Sequence, residues 1–326
     1  MSLGDKLKLA RLLAHLVRPD EGGADRRLVE ECHTAAGGAR YDLYRPVEQP
    51  RSLLVAVHGG ERTGWKNARL VGFARALARC GAACAVPELA GLARSAFDLA
   101  DLDSLEAACL DCGQRIGARP GMVGFSYGGG YALTAASRKK LAGQLRFVVT
   151  VGAFHDLGGL LDWYAQHQGE EPRTDLEWDD AIWLKLVMAW WFRGPLGLSP
   201  ELCAELQTQL DGYCDEEDVG KKRAFFERRL RPLDVFERVA RTVDRQVLAE
   251  LSPAGRGSAI GCPVTLIHDR YDGITPLREG ERLHQEIAGS KLVVTEVLAH
   301  ITPLRALDLP ALLRLSSALE PLVGDR

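Results

Sequence analysis

Residues 121–137 read GMVGFSYGGGYALTAAS. An apolar run meets Ser126, and a helix-like run covering 127–143 follows it. Ser126 stands between Gly124 and Gly128. A serine set where a strand turns sharply into a helix is held in a strained backbone with its hydroxyl exposed. Such a turn brings neighbouring backbone so close that the residues two before and two after have no room for a Cβ. Glycine at both places meets that requirement. The spacing G-x-S-x-G alone is a modest signal, and the competing reading is a glycine-rich turn with an idle serine. The rest of the chain decides between them.

Upstream, 27–46 (RLVEECHTAAGGARYDLYRP) reads as a hairpin around Ala-Gly-Gly. LLVAVHGG (53–60) is an unbroken apolar run ending in glycines, as expected of a strand buried on both faces. Helical spacing over 67–81 is followed by a strand over 82–89, a helix over 103–117 and the strand that ends at Ser126. FVVTVGAF (147–154) reads as one more strand. Strands alternating with helices of this length argue for an α/β fold, a mostly parallel sheet with helices on both faces. The rhythm breaks at about residue 155, and from there to about 258 only helix-like segments occur. It resumes with CPVTLIHD (262–269), a helix over 276–289, the strand KLVVTEVL (291–298) and a final helix near 309–323. The expected organisation is a core formed by 1–154 and 259–326, with a helical cap, 155–258, inserted between the two parts.

A serine hydroxyl is a weak nucleophile that needs a general base, and the base needs an orienting acid. After the insertion come LIHDRYDGITP (266–276) and VLAHITP (297–303), which put Asp272 and His300 just past the ends of two strands. In a parallel sheet those ends share one edge with the turn at Ser126. The chain order Ser, Asp, His is the one expected on such a scaffold. Asp156, after the preceding strand, is the alternative acid.

With these residues in view, the chain resembles the α/β-hydrolase superfamily over essentially its whole length. Four motifs carry the resemblance: HGG (58–60), GFSYG (124–128), HDRYDGITP (268–276) and AHITP (299–303). The resemblance implies Ser126 as nucleophile, Asp272 as acid and His300 as base. Asp269 in place of a glycine after His268, and Ala299 before His300, depart from the family pattern. The oxyanion hole is expected from the backbone N–H groups of Tyr127 and Gly60, or failing Gly60, of Glu61. A carboxylate at 61 is expected to point outward, or to meet a cationic or hydroxylated part of the substrate. His155 is expected as a cap-hinge or pocket residue and His58 in a structural hydrogen bond. His15, His33, His167 and His284 have no motif context.

The insertion holds five of the six tryptophans. In DDAIWLKLVMAWWFRGPLGL (179–198), Trp183, Leu186, Val187, Trp190 and Trp191 share one helical face. That face is expected to pack on the core, with Trp183 and Trp190 also lining an apolar wall for an acyl or aromatic group. GKKRAFFERRLRP (220–232) reads as a solvated face. The pairs Cys80/Cys84 and Cys109/Cys112 fall in strands and helices rather than on the tight turns that zinc sites use, so buried thiols are expected and no metal or cofactor is implied.

Composition narrows the classes further. With 326 residues, 46% hydrophobic, 26% charged and a net charge of −3, the chain is an ordinary globular protein without a field that recruits nucleic acid. The longest apolar run, 181–192, is too short to span a membrane and contains Lys185. The amphipathic N-terminal stretch, interrupted by Lys6, Lys8 and Arg11, does not read as a cleavable signal, so a reducing cytoplasm is expected. The expected function is a serine hydrolase with an acyl-enzyme mechanism, acting on a carbonyl compound, in the first place a carboxylic ester with an apolar acyl or aromatic group. Thioesterase, amidase, peptidase and acyltransferase activities would use the same triad. A non-catalytic binding member of the fold is the reading from another class.

Overall fold

A computed structural model of the chain describes residues 25–60, 62–94, 96–167, 175–213, 218–296, 298–300, 302–303, 315 and 317–322. The N-terminal amphipathic stretch, Glu61 and most of the expected last helix lie outside the described residues; within that helix, 317–322 are helical.

The hairpin forms from β1 (Leu28–Thr34) and β2 (Arg40–Pro46), antiparallel across a short turn in which Gly37 takes φ 71°. β3 (Ser52–Val57), α1 (Ala68–Arg79) and β4 (Ala82–Pro87) follow, then α2 (Ala90–Arg94) and α3 (Ala100–Ile116). β5 (Gly121–Phe125) leads into α4 (Tyr127–Ala136), and β6 (Val148–Val151) comes next. After a helical segment the sheet is completed by β7 (Val264–Asp269), α11 (Leu277–Glu286) and β8 (Lys291–Thr295). A two-residue ladder, β9 (Leu298–Ala299) with β10 (Thr302–Pro303), brackets His300. The described α-helices of the helical segment are α5 (Leu157–His167), α6 (Asp175–Trp191), α7 (Pro200–Gly212), α8 (Val219–Phe225), α9 (Val235–Thr242) and α10 (Arg245–Leu251).

The eight-stranded sheet has the order β1-β2-β4-β3-β5-β6-β7-β8. It is parallel from β4 to β8, with β1 and β2 antiparallel at one edge. All six residues of β3 are buried. Leu53, Val55 and Val57 belong to one core with Leu105, Leu133 and Leu283, while Leu54 and Ala56 join the opposite core with Phe73, Leu77 and Leu319. The two-residue alternation of a strand therefore feeds two separate helical layers, which is why its sequence is apolar without interruption.

Local signals end the helices where the sequence implies. The Asn67 side chain accepts the amides of Arg69 and Leu70 at the start of α1, and Gly117 closes α3 with φ 72°. From β3 the chain winds toward β4, then crosses to β5 on the other side. That reversal opens a crevice at the carboxyl ends of β3 and β5, where the HGG loop and Ser126 sit. No described helix is long and apolar enough to cross a membrane.

Candidate active site

Ser126 takes φ 53° and ψ −126°, and with His300 (φ 53°) it is one of two non-glycine residues with positive φ among those described. For an L-residue this conformation is strained, and the surrounding structure must impose it. The imposition is visible. A Cβ on Gly128 would stand 2.1 Å from the His58 carbonyl oxygen and 2.7 Å from that of Val57, and one on Gly124 would stand 2.5 Å from the Gly128 oxygen. These are backbone atoms with nowhere to move. Gly128→Ala is therefore expected to destabilise the fold by about 3 kcal/mol, seen as a lowered thermal midpoint; an unchanged midpoint would show that the turn tolerates a side chain.

The loop after β7 holds Asp272 rigidly. Its Oδ1 accepts the amides of Ile274 (2.9 Å) and Thr275 (2.7 Å), and its Oδ2 accepts from Nδ1 of His300 at 2.7 Å. Nε2 of His268 lies 3.7 Å from the same oxygen but donates to the Thr275 carbonyl at 2.6 Å, bracing the loop from beneath. Asp269, the departure from the family pattern, accepts from Thr295 Oγ1 (2.7 Å) and the Leu298 amide (3.0 Å) with one oxygen and from the Tyr271 amide (3.0 Å) with the other. It ties the end of β7 to the segment that leads into His300. The spacing gives no hint of this role.

His300 lies against Gly152, which neighbours Ser126 across the sheet. Phe125 and Val151 are register partners, and the Ser126 amide donates to the Val151 carbonyl at 2.8 Å, so Ser126 and Gly152 leave their strands side by side. A Cβ on Gly152 would lie 2.9 Å from His300 Cε1 and 3.3 Å from Asp272 Oδ2. The imidazole thus lies on the bare backbone next to the serine. Its Nε2 is buried and carries no hydrogen bond among the described residues. Burial is the largest single influence on His300 and disfavours its charged form. The charge of Asp272, the hydrogen bond to it and the charge of Asp180 together outweigh burial and raise its pKa above the ordinary 6.5.

The HGG loop lies against the serine from the other side, with a Cβ on Gly59 expected 3.2 Å from Ser126 Cβ. The amides of Gly60 and Tyr127 are both unspent among the described residues, so two donors flank the Ser126 side chain. His58 Nδ1 donates to the Gly59 carbonyl at 2.8 Å, and burial pushes its pKa down to about 4, so it is a neutral strut.

His155, expected as a cap-hinge or pocket residue, and the two tryptophans expected at the pocket each have partners of their own. His155 Nε2 meets Glu286 at 2.8 Å and its amide donates to Glu279, which pins the end of β6 to α11. Trp183 packs on Tyr213 with ring centroids 4.9 Å apart, and Trp190 carries the Arg193 guanidinium at 4.2 Å, both inside the helical segment. Trp191 lies against the HGG loop. Its Cη2 would be 2.2 Å from a Cβ on Gly60, and its ring meets Tyr127 at 5.8 Å. With Phe97, Phe154 and Phe192 these rings form an aromatic wall beside Ser126. Asp156 accepts from the Gly158 amide at the start of α5, while His300 pairs with Asp272. His33, His167 and His284 bond within their own neighbourhoods.

Cys84, Cys109 and Cys112 are buried thiols whose pKa values burial raises, that of Cys112 to about 12. Among the described residues no three His, Cys, Asp or Glu side chains gather as a metal site requires. Sequence reasoning did not single out Asp180 on α6. It is buried, and its Oδ2 accepts the Gly273 amide at 3.3 Å, beside Asp272.

The profile of the Alpha/beta hydrolase family matches residues 54–309, and the chain belongs to that family. A comparison with curated proteins matched none of them. Among solved structures, an esterase of Pyrococcus furiosus is similar with a TM-score of 0.53 at 12% identity, over 94% of this chain and 96% of that one. A dienelactone hydrolase of Anabaena variabilis gives 0.50 at 14% identity, over 91% and 97%. A puromycin-hydrolyzing peptidase of Mycobacterium tuberculosis gives 0.51 at 14% identity over 92% of this chain, which spans only 40% of the peptidase. At such identities the likeness is one of fold.

Proposed function

We propose that the chain is a serine hydrolase that cleaves carboxylic esters with an apolar acyl or aromatic group through an acyl-enzyme. One observation carries the reading: the Asp272–His300 pair, joined at 2.7 Å, lies on Gly152 beside a serine held at φ 53°. Ser126 Oγ attacks the substrate carbonyl carbon while His300 Nε2 takes the hydroxyl proton. The carbonyl oxygen, now negative, accepts from the Gly60 and Tyr127 amides. Collapse expels the alkoxide, which takes the proton from His300 and leaves as the alcohol. Water, deprotonated by the same nitrogen, then attacks the acyl-enzyme and returns the acid and the free serine. Asp272 holds the Nδ1–H tautomer and stabilises the imidazolium.

Support for an apolar acyl or aromatic group comes from the wall of Phe97, Tyr127, Phe154, Trp191 and Phe192. Ser126 and His300 are each only 6% exposed, so the helical segment acts in this proposal as a cap that shifts to admit substrate. The same groups would cleave a thioester or an amide, or pass the acyl group to an alcohol.

A fluorophosphonate probe tests the reading. Labelling of the wild type and none of Ser126→Ala is expected. An unlabelled wild type, or equal labelling of both, rejects it in favour of a binding protein. A series of p-nitrophenyl esters run beside thioester and peptide substrates, with and without an added alcohol, then separates the activities.

A further inference from the structure

The loop that carries Asp272 is gripped by two helices of the cap. From α5, the Tyr164 hydroxyl donates to the Ile274 carbonyl at 2.7 Å. From α6, Asp180 accepts the Gly273 amide at 3.3 Å. The backbone of two successive residues beside the candidate acid, Gly273 and Ile274, is thus held by side chains of these helices. The first contact is neutral; the second brings a carboxylate, 7% exposed, toward the Asp272–His300 pair. The approach is close: a Cβ on Gly273 would lie 3.0 Å from Asp180 Oδ2 and 3.1 Å from its Cβ.

We propose that Asp180 is a positioning residue for His300: bound to the Gly273 amide, it clamps the cap on the acid loop and sets a second negative charge beside the Asp272–His300 pair. The proposal rests on the serine hydrolase reading. Among the described residues, the charges that act on it are those of Asp272, His300 and Asp179. Asp180 faces Asp272 from the loop after β7 and His300 from the β9–β10 turn, with Asp179 beside it on α6. Asp179 is paired with Lys222 of α8 at 2.9 Å. His300 faces Asp272 and Asp180, and Asp272 also has His268 beneath it. Burial, followed by the charge of Asp272, raises the pKa of Asp180 to about 7, while the charge of His300 lowers it. The charge of Asp180 in turn favours protonated His300. The two groups therefore titrate as a coupled pair. Below neutral pH Asp180 is protonated and without influence on His300. Well above neutral pH His300 is already deprotonated. Between these limits an ionised Asp180 holds back the free base.

Asp180→Asn keeps an oxygen for the Gly273 amide and removes the charge. The rate of fluorophosphonate labelling, measured against pH for this variant and the wild type, gives a ratio that is expected to pass through a maximum near neutral pH. Its height is about threefold if the opposite charge multiplies proton affinity by about ten. Gly273→Ala, which displaces the Asp180 side chain by steric pressure, is expected to give the same maximum. A ratio that is constant with pH, at any level, overturns the proposal, because a purely structural loss scales all rates alike. The downfield imidazole N–H resonance of His300 supplies a readout independent of catalysis. Its titration midpoint is expected at lower pH in Asp180→Asn, and an unmoved midpoint overturns the proposal even where the wild type labels normally. Failure of the hydrolase reading shows instead as an unlabelled wild type.

Discussion

Asp272→Asn is expected to lower kcat by about 10⁴-fold while the thermal midpoint scarcely moves. The asparagine Oδ1 can still accept the Ile274 and Thr275 amides that hold Asp272 at 2.9 and 2.7 Å, so the loop keeps its shape. The change falls on the other side. Where Oδ2 now accepts from His300 Nδ1, an NH₂ group would donate. The imidazole must answer with a lone pair on Nδ1, which moves its proton to Nε2. That tautomer cannot take a proton from Ser126. The variant also lacks the carboxylate charge that raises the His300 pKa, so any remaining activity should extend to lower pH than in the wild type. Asp272→Ala is a poorer experiment, because it leaves two buried amides unpaired at about 1–3 kcal/mol each. The measurement is kcat on a p-nitrophenyl ester with thermal denaturation alongside. A loss of less than about tenfold in Asp272→Asn would remove Asp272 from the triad.

The parts of this site that could be read in the sequence are those set by local geometry. The turn at Ser126 demands glycine at 124 and 128, and the demand shows in three residues of spacing. Asp272 and His300 could be placed because strand ends in a parallel sheet share an edge, and the strands themselves are legible as apolar runs. Long-range packing left weaker traces. Helix α6 is buried around most of its circumference, including Trp178, Asp180, Ile182, Lys185, Leu186 and Ala189, so its periodicity does not say which side meets the core. Trp183, Trp190 and Trp191 are equivalent by spacing, and the phase of the helix against the HGG loop selects Trp191. Asp180 is hidden for the same reason. Its partner, the Gly273 amide, lies 93 residues away, and a backbone partner leaves no complementary side chain to notice. Asp269 read as a departure from the family's glycine that puts a second carboxylate near the acid, and its three hydrogen bonds, which order the approach to His300, left no trace in the spacing.

The second large effect concerns the oxyanion donors. Gly60→Ala is expected to lower kcat by about 10²- to 10³-fold, the usual cost of losing one donor. The added methyl would stand 2.2 Å from Cη2 and 2.9 Å from Cζ2 of Trp191. The indole is itself hemmed in by Tyr127 and Phe97 and is only 6% exposed, so the loop at residue 60 must give way and its amide turns off target. A test of this cause is available, because the clash has two members. Trp191→Leu alone removes the ring and should weaken packing, at a cost of about 3 kcal/mol in stability, while leaving the Gly60 amide in place. Combined with Gly60→Ala it makes room for the methyl, and at least about tenfold of the lost kcat should return. The two substitutions are then strongly non-additive, as expected for groups in direct contact. Additive losses would mean that the alanine acts by some route other than Trp191. An unaffected kcat in Gly60→Ala would assign the second oxyanion donor to another amide of the loop. Recovery in the double variant would tie the rate to the position of one N–H group, and that position to a tryptophan at the end of α6.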